Sequence, residues 1–275
     1  MDIVEEHARG LPSIDDRWNP RPYPRAELAA GLVDGRVVGP VSHPLDNVLG
    51  NIGLLNAGDP DKQFGMTGLP GAIEDRRILE LVGELAGVMP DPDGRTGPVE
   101  VDAEAVLAAC DAAAGRLGRA AERGEMVVFA TGHPVGLIHL YAELARDLAG
   151  RGVKILQPAD GSTWQEGDRA HRWQLRYLSG VAILTDEVTP KHTHSGEPMR
   201  RMLEDIRPDL VVADHGFAGA AIEAGIDAVS VADVNDPALI VARALGRTEH
   251  VIVMDDNVAS DAYWPCYQSI AARLG

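Results

Sequence analysis

The chain of 275 residues carries 25 Lys and Arg against 42 Asp and Glu, a formal net charge of −17. Nucleic-acid binding depends on basic side chains that neutralise phosphates, so this balance argues against a DNA or RNA partner; no run approaches the roughly 18 apolar residues that a membrane span needs. A hydrophobic content of 45% is enough to bury the core of one large α/β domain or two small ones.

In chain order, residues 1–60 are rich in Pro, Gly, Asp and Asn and read as loop. IEDRRILELVGELAG (73–87) places apolar residues at 78, 79, 81, 82 and 85, the stripe of an amphipathic helix. It stops at the linker MPDPDGRTGP, after which an alanine-rich helix runs from Asp102 to a closing Gly124. From Glu125 one unit repeats: a short β-branched run, a Gly/Asp/His loop, then an apolar stripe at helical period. The expected strands are 126–130, 153–156, 181–184, 209–213, 227–232 and 250–254, and the expected helices 135–150, 171–178, 197–206, 218–224, 237–245 and 269–274. Such alternation predicts an α/β fold, three-layer and doubly wound around a mostly parallel sheet. The division is a loop-rich and helical N-terminal portion (1–100) packing on a Rossmann-like α/β core (101–275), within one globular unit. Two cysteines, Cys110 and Cys266, lack CxxC spacing, and MDIVEEHARG has no basic-then-apolar leader pattern, so the expected location is cytoplasmic.

Ligands of open α/β sheets bind beyond the carboxyl ends of the strands, and here those positions are polar. Thr131, Gly132, His133, Val135 and Gly136 follow the first run, where the amides of a helix N-terminus suit a phosphate; a plain strand-to-helix turn is the alternative. His192 and His194, two apart in an extended segment, face one way and with Asp214 can bind a divalent metal (Zn, Mn or Mg) or the phosphate directly; the alternative is a polar loop whose Ser195 caps the next helix. His133, His215, Asp255 and Asp256 are the candidate catalytic groups, the two acids holding a metal or one of them acting as general base to orient water; capping and turn formation are the alternative for the Asp255–Asn257 stretch. Asn235 or Asp236 reads as a helix cap before Pro237. SHPLDN, with His43, Asp46 and Asn47, is placed as a lid, and Lys191, Arg200 and Arg201 as cations for a phosphate. His139 and His171 sit inside helical patterns and read as structural, and His7 and His250 carry no signal. Trp164, Trp173 and Trp264 are the available stacking surfaces.

With TGHPVG after a strand, KHTHSGEPM, ADHGFAGAAIEAG and VNDPALIVA in this order, residues 125–275 resemble a bacterial family known simply as phosphatase, and DNVLGN and TGLPG extend the likeness more loosely. The resemblance implies hydrolysis of a phosphate ester and transfers no residue role. The reading is therefore a phosphatase that hydrolyses a small phosphomonoester, metal-assisted or through a phosphohistidine on His133 or His215, although neither neighbourhood has an RHG pattern. A non-catalytic phosphate- or nucleotide-binding protein and a metal-dependent glycosyl- or nucleotidyl-transferase stay as alternatives. The expected partner is a small anionic phosphorylated metabolite, without nucleic acid, membrane or organic cofactor, and self-association into a homo-oligomer stays open.

Overall fold

A computed structural model describes residues 15–165 and 172–274. His7 and His171 lie outside the described residues, as does the first position of the helix expected over 171–178. The helices are α1 (Arg25–Asp34), α2 (Leu45–Asn56), α3 (Asp75–Ala86), α4 (Ala103–Arg123), α5 (Pro134–Gly150), α6 (Glu197–Met202), α7 (His215–Glu223), α8 (Pro237–Ala244) and α9 (Trp264–Ala271). The strands are β1 (Gly39–Pro40), β2 (Glu100–Val101), β3 (Met126–Thr131), β4 (Lys154–Ile155), β5 (Thr163–Gln165), β6 (Arg172–Leu178), β7 (Val181–Thr185), β8 (Pro190–Lys191), β9 (Leu210–Asp214), β10 (Asp227–Ala232) and β11 (His250–Val253).

The main sheet has nine strands, ordered β11-β10-β9-β3-β7-β6-β5, with β4 on β3 and β8 on β7. The six strands expected from the β-branched runs are the parallel ones. Residues of β7 and β9 are buried throughout, which explains why these strands read as continuous apolar runs rather than alternating ones. Helix α5 covers β3 and β7 and packs on α9, while α7 and α8 cover β9, β10 and β11, and helices lie on both sides of the sheet.

Segment 171–178 departs from expectation: where it is described it is strand β6, antiparallel to β7 with Leu178 opposite Val181. Trp173, Leu175 and Tyr177 alternate with Gln174 and Arg176, a period of two. The intervening Ser179 and Gly180 both have positive φ, 49° and 86°, as a two-residue hairpin of the I′ type requires. The hairpin adds antiparallel strands to one edge of the parallel sheet. The helix expected over 197–206 is confined to α6 (Glu197–Met202), and the last helix begins earlier than expected, at Trp264.

The loop expected over residues 1–60 contains two helices within its described part. Pro24 and Pro44 stand at their N-caps, and in α2 Leu45, Val48, Ile52 and Leu55 form a buried stripe. The Pro- and Gly-rich composition hides this periodicity. Helix α1 packs on α9 and α4, α2 on α3, and α3 on α8. One hydrophobic cluster joins Leu32, Ile52 and Val82 of these helices to Leu117, Phe129, Leu144, Val212 and Ile252. No described helix is long and apolar enough to cross a membrane.

Candidate active site

Strand β3 lies between β7 and β9, so successive units step away from it in opposite directions. This reversal opens a crevice beyond the carboxyl ends of β3 and β9, which finish at Thr131 and Asp214. The cleft found there has a volume of about 170 Å³ and is lined by His133, His192, His194 and His215, with His43, Lys62, Asp236 and Asp256 among its other walls.

His215 is the geometric centre. Strand β9 passes into α7 with no loop between them, and His215 takes a left-handed φ of 46°, rare for a residue with a side chain. Its next neighbour must be glycine: a Cβ on Gly216 would overlap the backbone of Ser195, which brings the His194 segment against the start of α7. Asp214, wholly buried, accepts hydrogen bonds from His215 Nδ1 at 2.7 Å and from the Gly132 amide at 2.8 Å. With Nδ1 thus engaged, His215 turns Nε2 to the cleft, 3.4 Å from His192 Nε2, 3.2 Å from Asp236 Oδ2 and 3.6 Å from Asp256 Oδ2. His194 is oriented by Asp61, whose carboxylate meets its Nδ1 at 2.8 Å, and Phe64 packs against the rings of both His194 and His215. His192 and His194 have ring centroids 4.9 Å apart, and His133 closes the group 4.8 Å from His192.

Burial, reinforced by the charge of His215, pushes the His133 and His194 imidazoles below their ordinary range and His192 down to about 4. Burial opposes a charge on His215 as well, but hydrogen bonds to Asp214 and Asp236 outweigh it and hold its imidazolium well above the ordinary range. Burial raises Asp256 to about 7 and Asp233 well above the carboxylate range. Asp214 Oδ2, Asp233 Oδ2, Asp256 Oδ2 and His133 Nδ1 are buried without hydrogen-bond partners among the described residues. Buried carboxylate oxygens in this condition are costly unless a proton or a cation meets them. Histidine binds metal as the neutral imidazole, often with its other nitrogen held by a carboxylate as in His194 and His215; a cation at His215 Nε2 would take the place of the proton that the surrounding carboxylates favour there. The donor set therefore fits a divalent cation: His192, His194 and His215 form one group whose ligand atoms lie within 4.8 Å of one another, and His215, Asp236 and Asp256 form a second.

Among the residues singled out from sequence, His133, His192, His194, His215 and Asp256 meet in this cleft. Asp214 lies behind His215, acting on its Nδ1 rather than facing the cleft. Asp255 stands apart: its carboxylate accepts the amides of Ser42 at 2.8 Å and Asn257 at 2.9 Å, a turn-forming role. In the Thr131–Gly136 loop the Gly132 amide is bound to Asp214, the His133 amide to Thr131 Oγ1 at 2.9 Å and the Gly136 amide to the His133 carbonyl at 3.2 Å, while Pro134 has none and the Val135 side chain is exposed. Most of the donors expected to hold a phosphate are thus engaged within the protein. Lys191 pairs with Asp186, and Arg200 and Arg201 with Glu197. Ser195 Oγ accepts the amide of Glu197 at the start of α6. Trp164 and Trp173 pair across β5 and β6 whereas Trp264 packs on Tyr23, so the three share no pocket. SHPLDN runs into α2; His43 lines the cleft, and Asn47 accepts a hydrogen bond from Asn235 at 2.9 Å.

Three participants are not read as site residues from the sequence: Asp236, assigned there only as a cap, and Asp61 and Lys62. Asp236 does stand at the N-cap of α8, but its side chain makes no capping bond there and faces His215 instead; its place after β10 is the signal that marks it. Asp61 and Lys62 come from the DPDKQF loop, which no local pattern ties to histidines more than a hundred residues on.

The switch point of an α/β sheet, where this imidazole and carboxylate cluster lies, is a position at which such folds commonly bind small molecules, and comparison of sequences gives the family. The chain belongs to the family described as Phosphatase, whose model matches residues 23–275. It is 37% identical over 246 residues to Phosphatase SCO2771 of Streptomyces coelicolor, a match that covers 87% of this chain and 92% of that protein. No solved structure matches. The family match begins at Tyr23 and so takes in α1, α2 and the Asp61–Lys62 loop as well as the core.

Proposed function

We propose that this protein is a metal-assisted phosphomonoester hydrolase acting on a small anionic metabolite in the cleft beyond β3 and β9. Family membership supports phosphatase chemistry. The observation that carries the metal is the convergence of His192, His194 and His215 on one point, with Asp214 and Asp61 fixing two of the rings from behind.

A divalent cation held by the three imidazoles supplies charge to phosphoryl oxygens and activates water. The chain's own groups do the rest. Asp214 holds the proton on His215 Nδ1 and leaves Nε2 free to coordinate. Lys62, whose side chain is 15% exposed, and His43 stand at the wall of the cleft to meet the remaining negative charge of the phosphoryl group, which the acidic surface of the protein would otherwise repel. His133 has Nδ1 turned back toward Gly136, so its Nε2 is the atom that takes or returns a proton, and burial holds its imidazole below the ordinary range. Direct attack by His215 is the weaker reading: its Nε2 lies between the carboxylates of Asp236 and Asp256, which repel an approaching phosphate.

Purified protein incubated with p-nitrophenyl phosphate and saturating Zn²⁺, Mn²⁺ or Mg²⁺ releases p-nitrophenol; chelation stops the release, and His192→Ala lowers it by orders of magnitude. Tight retention of one phosphate with no turnover on a broad panel refutes the proposal in favour of a binding protein. Release of a nucleoside mono- or diphosphate from a sugar nucleotide refutes it in favour of a transferase.

A further inference from the structure

Small-molecule pockets usually enclose about 300–1,000 Å³ and are lined mainly by apolar and aromatic side chains. The cleft beyond β3 and β9 has about 170 Å³, and every described residue that lines it has a polar side chain. Phe64, buried against the His194 and His215 rings, is not among its walls, nor are Trp164, Trp173 and Trp264. A purine or aryl ring therefore has no Phe, Tyr or Trp to stack on. Lys62 is the one Lys or Arg among the lining residues, and it already meets Asp61 at 3.4 Å. A cation on the histidines together with Lys62 answers one phosphoryl group, whereas Asp236 and Asp256 repel a second anion. Two carboxamides complete the wall. Asn235 donates from Nδ2 to Asn47 Oδ1 at 2.9 Å and keeps its side-chain oxygen without a partner among the described residues, and the exposed Asn257 side chain has none there either. A carboxamide both donates and accepts, as a hydroxyl group does.

We infer that the substrate is the monophosphate of a compact, uncharged, hydroxylated alcohol, a small polyol or sugar phosphate, whose hydroxyls bind the Asn235 and Asn257 carboxamides. The inference rests on the phosphatase reading of the same cleft and specifies the leaving group. Water adds its oxygen to phosphorus as the P–O bond to the alcohol breaks, and the alcohol oxygen leaves with one of the water protons. A nucleotide brings a base that finds no stacking surface. A phosphorylated carboxylic acid or a bisphosphate brings a second anion toward Asp236 and Asp256. A plain alkyl phosphate leaves both carboxamides without a ligand partner.

Matched esters test this in full-length protein with saturating Zn²⁺, Mn²⁺ or Mg²⁺: glycerol 3-phosphate against propyl phosphate, glycerol 3-phosphate against 3-phosphoglycerate, and ribose 5-phosphate against AMP. In each pair the second ester is expected to show a kcat/KM at least about fivefold lower, the worth of one net hydrogen bond. Asn257→Ala and Asn235→Ala are expected to lower the ratio of glycerol 3-phosphate to propyl phosphate, chiefly by raising KM for the former, while circular dichroism reports that the fold is kept. Asn257→Ala, at an exposed position, keeps the test open should Asn235→Ala, which loses the bond to Asn47, fail to fold. A difference below fivefold in any pair, or a ratio unchanged in Asn257→Ala, overturns the inference and leaves the hydrolase proposal standing. Turnover of p-nitrophenyl phosphate with none of these esters has the same meaning. A protein that hydrolyses neither these esters nor p-nitrophenyl phosphate overturns both.

Discussion

Asparagine at position 214 would keep the size and shape of the buried aspartate and remove only its charge, which isolates what that charge does for His215. The carboxylate receives two hydrogen bonds on Oδ1, from His215 Nδ1 at 2.7 Å and from the Gly132 amide at 2.8 Å. A carboxamide oxygen in the same place still accepts both, but as a neutral acceptor it pulls less on the imidazole N–H, and with the amide flipped an N–H would oppose Nδ1–H and turn the ring. Either way Nε2 becomes a poorer ligand. Loss of such a supporting carboxylate typically weakens metal affinity or activity 10- to 100-fold, which corresponds to about 1.4–2.8 kcal/mol. The assay is competition for Zn²⁺ against a fluorescent chelator, paired with kcat/KM on p-nitrophenyl phosphate. Both quantities should fall together in Asp214→Asn. Metal affinity and turnover within twofold of wild type would refute the claim that Asp214 acts through His215.

Asp255→Asn should behave in the opposite way: the loss of charge-assisted bonds to the Ser42 and Asn257 amides costs about 1–3 kcal/mol of stability in a urea melt, while metal content stays at the wild-type value. A fall in metal content at unchanged stability would return Asp255 to the site. Gly216→Ala places a methyl group against the Ser195 backbone, and overpacking of this kind costs about 1–3 kcal/mol; a lowered melting temperature with weakened Zn²⁺ affinity is expected, and an unaffected affinity would show that the His194 segment does not depend on that contact. His139, stacked on Trp18 at 3.9 Å, is held below its ordinary range by burial, so the unfolded chain takes up its proton first as pH falls below about 6.5. Its contribution to stability is present above that pH and lost below it, and His139→Phe should flatten the stability profile between pH 7.5 and 5.5 in denaturant melts. An unchanged slope would assign the acid sensitivity elsewhere.

The parallel core was legible because strands buried on both faces leave uninterrupted β-branched runs, and helices between them leave a stripe; both are local consequences of burial. The rule that ligands gather at strand ends needs only the order of elements, and the residues it selects, His133, His192, His194, His215 and Asp256, line one cleft. The segment over 171–178 was mistaken although its period of two was present, and α1 and α2 were obscured by proline and glycine around them.

The order of β-branched runs and helical stripes along the chain is enough to say which residues end the strands, and therefore which imidazoles and carboxylates lie at the same edge of the sheet. What each one touches is a matter of packing: β9 returns beside β3, Asp214 binds the Gly132 amide and His215, Asp255 ties down a turn, and Asp61 reaches His194 from a loop distant along the chain, with Lys62 beside it at the cleft wall. Periodicity records whether a side chain is buried, a property of its own neighbourhood. The partner of a buried charge is set by whichever element packs opposite, and that depends on contacts between segments that carry no mark of each other.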